Sequence, residues 1–304
     1  MAGAHALVQP SGLARTIQCP ASLVMQRKHP GYGDDSAALE GEAAHWVAQH
    51  ALAGDWAPVG SAAPNGVTIT EEMHEGAWEV LDTIAADLQP YDMGLGDVAV
   101  EVPVDIPRVH AECWGTPDYR CWVPANRTPN GRSRLYVWDY KFGHSPVEAF
   151  ENPQLVAYAS GALSATKVSD LDVDVTLVII QPRTYHRAAS APSWSTTAVN
   201  LRALVNLASN AAHEALGDNP EAHTGPECLN CAARHACTLY QSTAYMAIDL
   251  AGAPQPLELP PDALGLELRL LTQAAERLRG RITGLQEQAL AVDPGNDEIG
   301  RAHV

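Results

Sequence analysis

Two short segments near the middle of the chain carry side chains that could do chemistry together. They are Gly115-Thr116-Pro117-Asp118-Tyr119 and Trp138-Asp139-Tyr140-Lys141. Two carboxylates supply hard oxygen ligands for Mg²⁺ or Mn²⁺, ions that keep waters available for reaction. Such an ion polarises a phosphoryl oxygen and lowers the pKa of a bound water. A lysine close by can orient that water or stabilise charge growing on the phosphate. The set therefore fits a metal-dependent phosphodiesterase. Taken alone, Asp139-Tyr140-Lys141 reads more simply as a strand end with a surface ion pair.

The elements that must position these groups are strands. Residues 98–106 alternate, 112–123 read as a second strand and 135–141 as a third. Residues 124–134, rich in Pro, Asn, Gly and Arg, read as a hairpin loop. Alternate strand residues share a face. Asp139 and Lys141 thus point with Leu135 and Val137, and Tyr136, Trp138 and Tyr140 point the other way. On the second strand Trp114, Thr116, Asp118 and Arg120 share a face, so hairpin neighbours would bring Asp118 to Asp139. Glu101, one strand earlier, is a candidate third carboxylate. Cys113 and Cys121 fall on the face opposite Asp118 and read as buried small apolar residues.

Around the strands, helices are expected over 10–28 (interrupted at Cys19-Pro20), 36–53, 70–89, 152–165 and 199–216. Residues 171–181 read as a buried strand. This order implies an α/β core around a mixed central sheet flanked by helices. Residues 246–261 read as a Pro-rich linker after a body spanning 1–245. A helix over 262–292 follows, with an apolar seam of Leu271, Ala275, Leu278, Ile282, Leu285 and Ala289 expected to pack back on the body. Residues 299–304 back-translate to a common sequencing adapter, so the end of the 293–304 tail is expected not to be native.

With 46% hydrophobic residues among 304, a sizeable core is available. No apolar run is long enough to cross a membrane, and no secretory signal is visible. Six cysteines in a chain of this length suggest a cytoplasmic protein with reduced or metal-bound thiols. The net charge of −17 counts against a general nucleic-acid binder. Locally, five basic residues from Arg120 to Lys141 face a single acid, Asp139. That makes Arg120, Arg132 and Arg134 candidates to contact DNA, though a solvated basic loop explains the charge as well.

Gln154 and Tyr158, at i and i+4 on a helix, share a face and could hold a DNA strand or brace the lysine. His45 sits within a helix, where a lone histidine is usually a packing or surface residue. Taken in order, His45, Glu101, Gly115-x-x-Asp118, Asp139-Tyr140-Lys141 and Gln154-x-x-x-Tyr158 resemble the RecB-like branch of the PD-(D/E)XK nucleases. The N-terminal Pro10-Ser11-Gly12, Cys19-Pro20-Ala21-Ser22 and Glu40-Gly41-x-x-Ala44-His45 are similar to a phage and prophage group of that branch. The group usually has Gly-Thr where this chain has Gly41-Glu42. The resemblance covers roughly residues 5–245 and implies a restriction-endonuclease-like core. It implies that His45, Asp118, Asp139 and the Tyr140 carbonyl bind Mg²⁺ or Mn²⁺, that Lys141 is catalytic and that Glu101 supports the metal shell. It implies DNA as substrate, single-stranded or with free ends, in phage recombination, replication or end processing. A recombinase, helicase or single-strand-binding protein is the partner expected from it.

Cys228-x-x-Cys231 and Cys237 form a compact ligand set, with Cys19 as the candidate fourth ligand. Four thiolates suit a structural Zn²⁺, and His235 could replace one of them. The split, one cysteine before the core and three after it, resembles the iron–sulfur nucleases of the AddB and CRISPR-associated RecB-like kind. That resemblance implies a [4Fe–4S] cluster on Cys19, Cys228, Cys231 and Cys237, in a subdomain built from both chain ends. Two other function classes stay open: a nuclease-fold DNA-binding module that does not cut, and a structural zinc-binding phage protein.

Overall fold

The structure, a computed structural model, describes residues 6–31, 35–184, 191–251 and 260–292. The linker residues 252–259 and the tail 293–304, with its adapter-like end, lie outside the described residues. In chain order the helices are α1 (Leu13–Gln18), α2 (Ser22–Lys28), α3 (Ser36–Leu52), α4 (Glu71–Leu88), α5 (Pro153–Ser164), α6 (Ala198–Ala215), α7 (Thr238–Ala251) and α8 (Pro261–Val292). The strands are β1 (Ala99–Val100), β2 (Val104–Asp105), β3 (Trp114–Gly115), β4 (Tyr119–Val123), β5 (Ser133–Tyr140), β6 (Val173–Ile180) and β7 (Ser193–Thr197). Contacts divide the chain into two units. One holds residues 1–13 and 34–210, the other 14–33 and 211–304. α8 belongs with the second unit, where it packs back on α7 and on residues 226–235.

The first unit is an α/β structure on a mixed five-stranded sheet flanked by helices, in the order β1-β4-β5-β6-β7. β5 and β6 run parallel, and the other neighbours are antiparallel. A parallel pair needs a crossover, which α5 supplies. β5 is buried along almost its whole length, as expected of a central strand covered on both faces. Tyr136, Trp138 and Tyr140 pack in one core with α3 and α4, and Trp138 Nε1 donates to Asp87 at 2.8 Å. Asp139 faces α5 on the other side. α4 starts as its sequence suggests, with Thr70 accepting the Met73 N–H and Glu71 and Glu72 in the first turn. α5 starts on Asn152, which accepts from Gln154 N and Leu155 N, with Pro153 at the first helical position.

The structure departs from the sequence reading in several places. The strands expected over 98–106 and 112–123 are each cut in two, and β2 and β3 pair in a small sheet of their own. Pro103 and Pro117 lie at the breaks, where a missing N–H interrupts a ladder. β7 and α7 have no counterpart in the reading. β7 is a polar edge strand, Ser-Trp-Ser-Thr-Thr, with no apolar face to announce it.

In the second unit α8 packs through a different face from the expected seam. Leu271, Ile282 and Leu285 are exposed, whereas Gly280 and Gly284 are buried. A Cβ on Gly280 would fall 2.4 Å from Tyr240 Oη, and one on Gly284 3.2 Å from Arg234 Cγ. The missing side chains let α8 lie against α7 and the turn at residues 232–235. Tyr240 Oη then donates to Arg277 O at 2.9 Å.

Candidate functional site

β5 ends by delivering Asp139 and Tyr140 to one end of the sheet, and the Lys141 N–H continues the ladder to Ile180 O at 2.8 Å. Asp139 is only 2% exposed. Its Oδ1 accepts from Gln154 Nε2 at 2.9 Å, and its Oδ2 lies 2.8 Å from Lys141 Nζ. Asp118 immediately precedes β4, and its Oδ2 accepts the Tyr140 N–H at 2.7 Å. A carboxylate thus takes a backbone donor at the end of β5. The other oxygen, Oδ1, is 3.5 Å from His45 Nδ1 on α3. Glu101 joins from the break after β1. Its φ of 45° is left-handed, a conformation uncommon for residues with a side chain. Its N–H donates to Asp118 O at 2.9 Å.

His45, Glu101 and Asp118 can each turn one ligand atom to within 4.8 Å of the others. Among the described residues this is the one such group of His, Cys, Asp or Glu. Its donor set of carboxylate oxygens and one imidazole suits a divalent cation. The electrostatics point the same way. Burial, and then the neighbouring Asp118, push the Asp139 carboxyl up to about 6 against the pull of Lys141. Asp118 is held below the usual carboxylate range. Burial opposes this, and His45, the Tyr140 N–H and Lys141 outweigh it. Burial lowers the His45 pKa, but Asp118 and Asp139 reverse the balance and raise it. Lys141 follows the same pattern, with burial overcome by Asp139 and Asp118, so the ammonium holds its proton. Two close carboxylates with one strained by burial are a site that added positive charge relieves.

Gln154 bridges the pair. Besides Asp139 it reaches Lys141, whose Nζ donates to Gln154 Oε1 at 3.3 Å, and Nε2 also lies 3.4 Å from Tyr158 Oη. Gln154 thus braces Asp139 and Lys141 and lies beside Tyr158. Gly115 of the Gly-x-x-Asp segment has a packing reason. A Cβ there would fall 3.0 Å from Tyr158 Cε1 and 2.8 Å from Pro10 Cγ. Gln181, just past β6, went unnoticed in the sequence. It is buried, donates to Gly143 O and Ser145 O at 2.7 Å each, and accepts the Val147 N–H at 3.0 Å. Those bonds pin the loop between Lys141 and α5. The available signal was a polar residue closing a β-branched run.

The three candidate arginines separate. Arg132 and Arg134 pair with Asp174 at 2.8 and 3.5 Å, and Arg134 also donates to Thr176. Arg134, the second residue of β5, lies on the face opposite Asp139 and about 17 Å along the strand from it. Arg120 is half-buried and pairs in register with Val137, which puts it on the Asp139 face.

In the second unit Cys19, Cys228, Cys231 and Cys237 line one cavity of about 290 Å³. Backbone N–H groups point at three sulfurs: His223 at Cys19, Gly225 at Cys228 and Tyr240 at Cys237, each at 3.4 Å. Burial raises the Cys228 and Cys231 thiols. No three of the described sulfurs come within 4.8 Å of one another, so the cysteines form no closed cluster. His235 is buried, with Nδ1 3.0 Å from Ala232 O. Cys113 and Cys121 are buried, as their strand positions suggest, and burial pushes their thiols up to about 12 and about 11.

A family model described as "Protein of unknown function (DUF2800)" matches residues 5–289. The chain belongs to this family. The DUF2800 match takes in every site residue above and all four cavity cysteines. No curated protein matches. Among solved structures, "Crystal structure of SSO0001" is similar at 16% identity. The match covers 79% of this chain and 89% of that one, with a TM-score of 0.35. No helix among the described residues is long and apolar enough to cross a membrane.

Proposed function

We propose that this DUF2800 protein is a metal-dependent deoxyribonuclease of the RecB-like, restriction-endonuclease-like kind. The observation that carries the reading is the convergence of His45, Glu101, Asp118, Asp139 and Lys141 from separate elements onto one end of the sheet, with Gln154 bridging Asp139 and Lys141. His45, Glu101 and Asp118 would hold Mg²⁺ or Mn²⁺, with Asp139 and the Tyr140 carbonyl as the further ligands that the resemblance implies. When bound, the cation supplies Lewis acidity toward a phosphoryl oxygen and acidifies a water. Lys141 keeps its proton and sets positive charge where the phosphodiester gains negative charge. Asp139 orients the ammonium, and Gln154 fixes both. Arg120, on the same face, is the arginine best placed to meet a DNA phosphate.

The substrate class follows from the resemblance: DNA that is single-stranded or has free ends, in phage recombination, replication or end processing. The test is cleavage of labelled single- and double-stranded DNA with Mn²⁺ after anaerobic purification. Lys141→Ala should lose about 100-fold or more of the rate. Equal rates in mutant and wild type would overturn the catalytic assignment.

We also infer that the four-cysteine cavity takes a [4Fe–4S] cluster rather than zinc. Zn–S bonds of about 2.3 Å in a tetrahedron hold sulfurs about 3.8 Å apart. The four cysteines line one cavity, and the resemblance to the iron–sulfur nucleases carries the preference for a cluster.

A further inference from the structure

We propose that the first unit carries a second ligand site, for a phosphate monoester of mononucleotide size, formed by the C-terminal half of α5, the start of α6 and the segments bearing Arg108 and Asp170. A cavity of about 430 Å³ lies there, within the usual range for small-molecule sites. Arg108 and Arg202 both reach it, and both are held by one carboxylate. Arg108 grips Asp170 with two nitrogens at 3.0 and 3.3 Å, and Arg202 does so through Nε and Nη2 at 3.0 Å each. Two guanidiniums on one carboxylate leave one positive charge unbalanced. Each fork keeps free N–H donors in a fixed plane, the arrangement that recognises phosphate oxygens. Both remain accessible, Arg108 at 40% and Arg202 at 56% side-chain exposure.

The second observation is independent of the charges. Ser160 lines the same cavity, is 1% exposed, and its Oγ has no hydrogen-bond partner. Buried hydroxyls are normally paired. A helix serine can bond back to the carbonyl four residues earlier, as Ser164 does to Ser160 O at 2.8 Å. Ser160 leaves its donor for something else. The rest of the wall is aliphatic at Leu163, Leu201 and Val205, with Asn206 as a further polar group. Charged donors at one part and aliphatic side chains at another match an anion joined to a ring, not a bare ion. The site shares no residue with the candidate metal centre.

The test is calorimetric titration of the full chain with thymidine 5′-monophosphate, with EDTA present to keep the metal centre out of play. Saturable binding is expected, with a dissociation constant of about 1 mM or tighter. Unphosphorylated thymidine should bind at least about tenfold more weakly, and inorganic phosphate should bind more weakly than the nucleotide. Arg202→Gln should weaken nucleotide binding about tenfold or more. Ser160→Ala removes an unpaired hydroxyl, so it should leave the melting temperature unchanged or higher while weakening binding several-fold. No saturable binding by the wild type, or equal binding by wild type and Ser160→Ala, would overturn the proposal.

Discussion

Asp139 must hold a negative charge while buried beside a second carboxylate, and its neighbours decide whether it can. Lys141 and Gln154 meet it at 2.8 and 2.9 Å. Gln154 therefore acts by orienting other groups. Gln154→Ala should lower kcat about tenfold and leave KM for DNA nearly unchanged, read from steady-state rates across substrate concentrations. A rise in KM alone would make Gln154 a DNA contact instead. At this scale much was legible in the sequence. Strand parity brought Asp118 to Asp139, and the helix spacing paired Gln154 with Tyr158. Glu101 was legible as a carboxylate but not in its geometry, because its left-handed φ of 45° breaks the alternation used to place it. Gln181 was not legible, since its three bonds go to loop backbone whose position depends on the finished fold.

The end of the β5–β6 pair shows how an element can claim residues that look functional. Arg132 and Arg134 read as a basic loop, yet with Asn130 they converge on Asp174 in β6. Residues distant in sequence but paired in register supply the partner, so local charge counting cannot see it. Asp174 is held below the usual carboxylate range. Burial opposes this, and the hydrogen bonds of Asn130 and Arg132 and the charges of Arg132 and Arg134 outweigh it. A depressed folded pKa gives stability that is complete above the unfolded value of about 3.9 and is lost as pH falls through the folded value. Asp174→Asn should cost about 1 kcal/mol at pH 7 by urea denaturation. The gap should close as pH falls through that depressed folded value. A gap that persisted in acid would assign the loss to packing. Elements with strong patterns, such as α4 and β6, were legible. The split strands were not, because the apolar pattern runs on across Pro103 and Pro117, where the pairing breaks.

At the scale of the molecule, the second unit depends on two segments from opposite parts of the chain. The Ala21 N–H donates to Glu221 O at 3.0 Å, and Gln18 Oε1 accepts the Glu227 N–H at 3.0 Å. A cluster on the four cysteines would tie those segments through metal–sulfur bonds, making its assembly part of folding. Anaerobically purified protein should show an absorption band near 400 nm (an order-of-magnitude position for thiolate-held clusters), with iron rather than zinc by elemental analysis. Cys19→Ser should lose the band and lower the melting temperature. A colourless wild type containing stoichiometric zinc would reverse the assignment. That Cys19 shares a cavity with the three later cysteines was legible from residue type and from the resemblance, not from spacing. The Gly280 and Gly284 face of α8 was not, because glycines register as gaps in an apolar pattern rather than as the surface that docks. The discontinuity of this unit also sets a clock. The His223 N–H that meets the Cys19 sulfur lies 204 residues further along the chain. At about 5–20 residues per second of synthesis, Cys19 waits roughly 10–40 s on the ribosome before its partners exist. For that interval the thiol is open to oxidants, and growth under oxidative stress should mark this cysteine before the protein is finished.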